Sequence, residues 1–203
     1  GRVRGGAGVV LGRLAAVARN KGFMVFLVAV SCLEMSFMAY IAVASYVYMG
    51  IYGLGEMSYS LCFSAAALVG VAGPALYAAI SKRTGVKLFT TGALVLGFVG
   101  GVLLATVGRC GFLAFCLVSM VVPIMQACVR PYSTNILLEQ QKSDTGSASA
   151  LISFIRGVIG SMGMLMPLLP WPDYITALSV TTMVALAVGI VLWVLLMRSC
   201  IPL

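Results

Sequence analysis

The spacing of the apolar runs constrains this chain more than any other feature. Residues 22–49, 57–80, 88–108, 112–138, 148–169 and 175–197 are each long and nearly free of charge. A bilayer core about 30 Å thick is crossed by a helix of roughly 20 such residues. Six runs joined by short loops predict an all-α membrane protein: one bundle of six transmembrane helices, each antiparallel to the next. The composition agrees, with 62% hydrophobic and 9% charged residues. Soluble domains are closer to half apolar and a quarter charged. No stretch reads as a soluble domain.

The formal charge of +8 is explained by its placement, with no nucleic acid as partner. Arg2, Arg4, Arg13, Arg19 and Lys21 precede the first run; Lys82, Arg83 and Lys87 follow the second. Lys142 follows the fourth run and Arg198 the sixth, whereas the alternate loops hold only Arg109 with Glu56 and Asp173. Cytoplasmic loops carry the Lys/Arg excess. The expected organisation is a flexible, basic, cytoplasmic lead-in (1–21), a membrane bundle (22–197) and a cytoplasmic tail (198–203). Both ends then face the cytoplasm of a multi-pass protein in the cell membrane, with the lipid bilayer as its first partner.

Six scattered cysteines without a C-x-x-C pair indicate no zinc site and no disulfide framework. Histidine is absent altogether. That removes histidine proton relays, H-E-x-x-H metal chemistry and the usual base of a serine enzyme. The expectation is a protein that is not an enzyme and carries neither metal nor cofactor.

The polar residues inside the runs fall into stripes at spacings of three and four, which places each set on one helix face. The sets are Ser31, Glu34, Met38, Ala42 and Ser45; Ser119, Pro123, Gln126, Arg130 and Ser133; and Ser149, Ser153, Arg156, Gly160 and Gly163. The third and sixth runs hold no charge and read as lipid-facing almost all round. Gly97 with Gly101, and the series Gly157, Gly160 and Gly163, read as surfaces of close helix approach. Pro74, Pro123 and Pro131 read as bends. Tyr40, Tyr46 and Tyr48 suit an interface belt and a cavity wall equally. At about 1.5 Å per residue, Arg130 lies roughly 13 Å in from Glu139, Arg156 roughly 13 Å in from Ser147, and Glu34 roughly 20 Å in from Lys21. All three are near mid-membrane, where ionisable residues are costly and functional by default. Snorkelling toward the cytoplasm is the alternative for the arginines. Pairing of one arginine with Glu34 is expected, because an unpaired buried charge is costly.

Two segments, "AYIAVASYVYMGIYGLGEMSYSLCFSAAAL" (39–68) and "RPYSTNILLEQQKSDTGSASALISFIRGVIGSMG" (130–163), resemble the C-terminal half of major facilitator superfamily drug transporters. The nearest branch is the bicyclomycin-resistance/chloramphenicol-efflux (Bcr/CflA) group of drug:proton antiporters. That group has an aromatic end to its seventh helix, here "ASYVYMGIYGLG", and an "AG-x-ASAL" start to its eleventh, here "TGSASAL" with Gly146. Its loop motif is partly kept in "AAISKRTGVK": Arg83, Gly85 and Lys87 fit, while Ala78 and Lys82 replace its Gly and Asp. Where that group has an apolar residue before Pro131 and an amide at 156, this chain has arginines.

The resemblance implies the second bundle of a twelve-helix transporter. The lead-in becomes a central-loop remnant, and the partner six-helix half is absent from this chain. It implies alternating access and proton-coupled efflux of small amphipathic compounds, hence a role in drug resistance. It also places the first, second, fourth and fifth helices at the cavity. Glu34 is the proton-coupling candidate, and Arg130, Arg156, Gln126, Tyr40 and Ser153 are the substrate-cavity candidates. Arg83, Gly85, Lys87, Pro131 and Gly146 are the candidates for conformational change. Two arginines against one glutamate predict a preference for anionic or zwitterionic substrates. The other reading is a self-contained six-helix channel or accessory subunit that acts as a dimer.

Overall fold

The computed structural model of the chain describes residues 7–81, 84–141 and 144–199. The helices are α1 (Ala7–Ala18), α2 (Lys21–Ser45), α3 (Glu56–Ser81), α4 (Val86–Thr106), α5 (Phe112–Ser119), α6 (Val121–Glu139), α7 (Thr145–Leu165) and α8 (Tyr174–Arg198). α2 runs on as a π-helical segment, Tyr46–Ile51, and α7 is followed by a 3-10 turn, Met166–Leu168. No strand occurs among the described residues. Six helical spans are long and apolar enough to cross a membrane: Lys21–Ile51, Glu56–Ile80, Val86–Thr106, Phe112–Glu139, Thr145–Leu168 and Tyr174–Arg198. Arg2, Arg4, Lys82, Arg83, Lys142 and Cys200 lie outside the described residues, and with them the role assigned to Arg83.

Short polar signals set the helix starts. Asn20 accepts from the Phe23 N–H, Asp144 from the Ser147 N–H and Asp173 from the Thr176 N–H, so each side chain occupies a donor the first turn leaves free. Gly53 turns the chain after α2 with a φ of 64°, in the left-handed region open to glycine. The break between α5 and α6 has a specific cause. Pro123 has no N–H for the Ser119 carbonyl, and its ring crowds that carbonyl. α5 ends at Ser119 and α6 begins at Val121.

α2 is the central helix, packed against α8, α7 and α6. α4 lies against α8 and α6, and α3 packs on α6. Fully buried Phe26 and Trp193 meet at 5.7 Å, and the Trp193 indole donates to Thr91 Oγ1 at 2.8 Å, tying α8 to α4. Tyr132 shares a 2.6 Å hydrogen bond with Thr90 and stacks on Tyr77 at 4.9 Å, joining α6 to α4 and α3. In the loops, Arg109 donates to Asp173 at 2.7 Å and to Thr176 at 2.6 Å.

Two expectations are corrected here. The lead-in is not irregular, because its Ala-, Val- and Leu-rich residues form α1, which packs on α7. The third and sixth spans, α4 and α8, do not present lipid-facing surface all round. Each buries one face, through Thr90, Ala93, Leu94 and Gly97 on α4 and Ala185, Leu186, Gly189 and Trp193 on α8. Small residues allow this: a Cβ at Gly97 would meet Leu186 Cδ1 at 2.8 Å, and one at Gly189 the Ala29 carbonyl oxygen at 3.0 Å. α3 is the most exposed span instead.

Candidate functional site

The stripes of α2, α6 and α7 converge on two adjoining clefts. The larger, about 840 Å³, lies between α2, α3 and α6. Phe37, Tyr40 and Phe63 line its aromatic part, and Gln126, Arg130 and Asn135 its polar part. Tyr40 stacks on Phe63 with ring centroids 6.2 Å apart and planes 11° from parallel. Pro74, Pro123 and Pro131 all stand in the wall, as do Gly70 and Ala127, whose carbonyls lose their helical partners to Pro74 and Pro131. The smaller cleft, about 490 Å³, lies between α2, α6 and α7 and is polar: Glu34, Arg130, Thr134, Ser149, Ser153 and Arg156 line it. Arg130 and Thr134 belong to both clefts.

Glu34 and Gln126 are buried, and the Gln126 amide donates to Glu34 Oε2 at 2.9 Å. The stem of Glu34 passes over Gly160, where a Cβ would lie 3.5 Å from Glu34 Cγ. Arg156 is also buried and reaches across to α6. Its guanidinium donates to Ser133 Oγ at 2.8 Å and to Thr134 Oγ1 at 2.9 Å. Each hydroxyl passes its own proton to a carbonyl of α6, Ser133 to Val129 at 2.6 Å and Thr134 to Arg130 at 2.8 Å. The expected ion pair between Glu34 and an arginine is corrected by this geometry: neutral groups satisfy both, and no ion pair to Glu34 forms among the described residues. Glu34, Gln126, Arg130 and Arg156 still share one internal void of about 10 Å³. That is close to the smallest space that takes a water molecule.

Arg130 differs from Arg156. It is exposed on its helix, and its guanidinium makes no hydrogen bond or ion pair among the described residues. The structure thus brings Glu34, Arg130, Arg156, Gln126, Tyr40 and Ser153 together around the two clefts. Pro131 stands in the wall of the larger one. It does not bring Gly85, Lys87 or Gly146 there: Gly85 precedes α4, Lys87 is exposed in its first turn and Gly146 is exposed in the first turn of α7. Thr134 escaped the sequence reading, although it stands four residues after Arg130 and shares its helix face. Phe37 and Asn135 carry no signal that separates them from ordinary packing residues.

The larger cleft is of the size and apolarity of small-molecule sites, which span about 300–1,000 Å³. No cluster of three or more metal-ligating side chains occurs among the described residues. No family model matches the chain, and no curated protein or solved structure matches it either.

Proposed function

We propose that the chain is one six-helix bundle of a secondary transporter that moves small amphipathic compounds by alternating access, coupled to protons through Glu34. One observation carries the reading. Mid-span polar and charged residues from three helices gather on one side of the bundle, around an aromatic cleft and a polar cleft with a common wall. Charged groups at that depth face a water-filled cavity or another protein surface, and binding at mid-membrane between two bundles is the usual arrangement of such transporters. The resemblance to the drug-transporter superfamily points the same way.

Vesicles from cells that make the protein test the reading. A fluorescent amphipathic dye should move when a proton gradient is imposed, and the movement should stop when a protonophore collapses the gradient. Dye movement indifferent to the protonophore would sink the coupling, and substrate-free currents would favour a channel. Orientation has its own measurement. Cys110 is exposed in the loop between α4 and α5, so a membrane-impermeant maleimide applied to intact cells should label it and spare Cys200. Outside labelling of Cys200 alone would reverse the topology.

A further inference from the structure

We infer that the α2–α3–α6 cleft takes an amphipathic organic anion, with its flat aromatic body beside Tyr40 and Phe63 and its charged group on the Arg130 guanidinium. The inference rests on the cavity reading above and adds the chemical class of the ligand.

Charge comes first. Arg130, Arg156 and Glu34 share one void, and two positive charges against one negative leave a surplus of one. Arg156 spends its donors on Ser133 and Thr134, and Glu34 is met by Gln126. The surplus therefore falls to Arg130, whose guanidinium has no partner among the described residues. An unpaired charge at this depth is costly, and a planar guanidinium suits an oxyanion with two parallel hydrogen bonds.

Shape comes second. Arg130 is a wall residue of the larger cleft, whose opposite part is aromatic and whose α3 side is made of the small residues Ala66, Ala67 and Gly70. A Cβ at Gly70 would meet nothing within 4 Å, so this side leaves room for a ring. At roughly 13 Å from the end of α6, Arg130 is too deep for a lipid headgroup at its normal level.

The test uses the full chain in lipid nanodiscs and two probes of one shape: 2-naphthalenesulfonate, which is always charged, and 2-naphthalenesulfonamide, which is neutral at pH 7. The sulfonate should bind tighter by about tenfold or more, the scale of one charge-assisted hydrogen bond. Arg130→Gln should reduce the preference to near unity, and Arg130→Lys should keep part of it. Arg109→Gln, which alters a loop arginine, should keep it all. Ala67→Trp, which fills the α3 side, should weaken both probes alike. Equal affinity for the two probes in the unsubstituted protein would overturn the anion assignment while leaving the cavity reading intact, and this comparison needs no variant to fold. A preference that survives Arg130→Gln would also overturn it. Binding of neither probe would overturn the cavity reading itself.

Discussion

Glu34→Gln should abolish gradient-driven transport while leaving substrate binding measurable. The substitution keeps the shape of the side chain and an oxygen for the Gln126 amide, which reaches Glu34 at 2.9 Å. The local geometry is therefore retained. What is lost is the only carboxylate in the wall of either cleft, and with it the group able to take up and release a proton between the two faces of the membrane. Binding should also change in a defined direction. With Glu34 neutral, Arg130 and Arg156 lose their only opposing charge, so an anionic probe should bind more tightly than to the parent at neutral pH. Its affinity should no longer respond to pH through this position. Gradient-driven transport that continues in the variant would remove Glu34 from the coupling step.

Gly163→Ala should be the most damaging single methyl group in the bundle. A Cβ there falls on the Met35 carbonyl oxygen of α2, and within 2.9 Å of its carbonyl carbon. These are backbone atoms of the central helix, so neither side can rotate away. α2 and α7 must separate, and with them Glu34 and Arg156. Overpacking usually costs about 1–3 kcal/mol, and a backbone-to-backbone clash belongs at the upper end. Gly157 supplies the contrast on the same helix. A Cβ there meets nothing within 4 Å, and alanine is better than glycine inside a helix by about 1 kcal/mol. Thermal unfolding of the two variants in detergent should show a large drop for Gly163→Ala and no drop for Gly157→Ala. Equal midpoints would mean that the α2–α7 contact is looser than described.

The six spans were legible because a membrane imposes one length and one composition on every crossing helix, as runs such as 88–108 and 175–197 show. The seam was legible too. Spacings of three and four placed Glu34, Gln126, Arg130, Ser153 and Arg156 on facing stripes, and the structure gathers them. The burial of α4 and α8 was not legible. In lipid, an apolar face against protein and an apolar face against acyl chains are written in the same residues, and only Gly97, Gly101 and Gly189 marked the difference. The partner of Arg156 was hidden for another reason. Periodicity gives the face of each helix but not the rotation and height of one helix against another. Those two quantities decided for Ser133 and Thr134 over Glu34.

Arg130 is a wall of both clefts, so what occupies one is felt in the other. A proton on Glu34 removes a negative charge that an incoming anion would otherwise meet. By thermodynamic reciprocity, a seated anion must favour that proton by the same factor. The two cargoes then load together, whereas a cation and a proton would displace each other. One cavity would thus run as a symporter for anions and as an exchanger for cations, with the charge of the solute choosing the gear. A pH dye trapped in the vesicles reads the sign directly: sulfonate entry should acidify the lumen, and entry of a cationic dye should make it more alkaline.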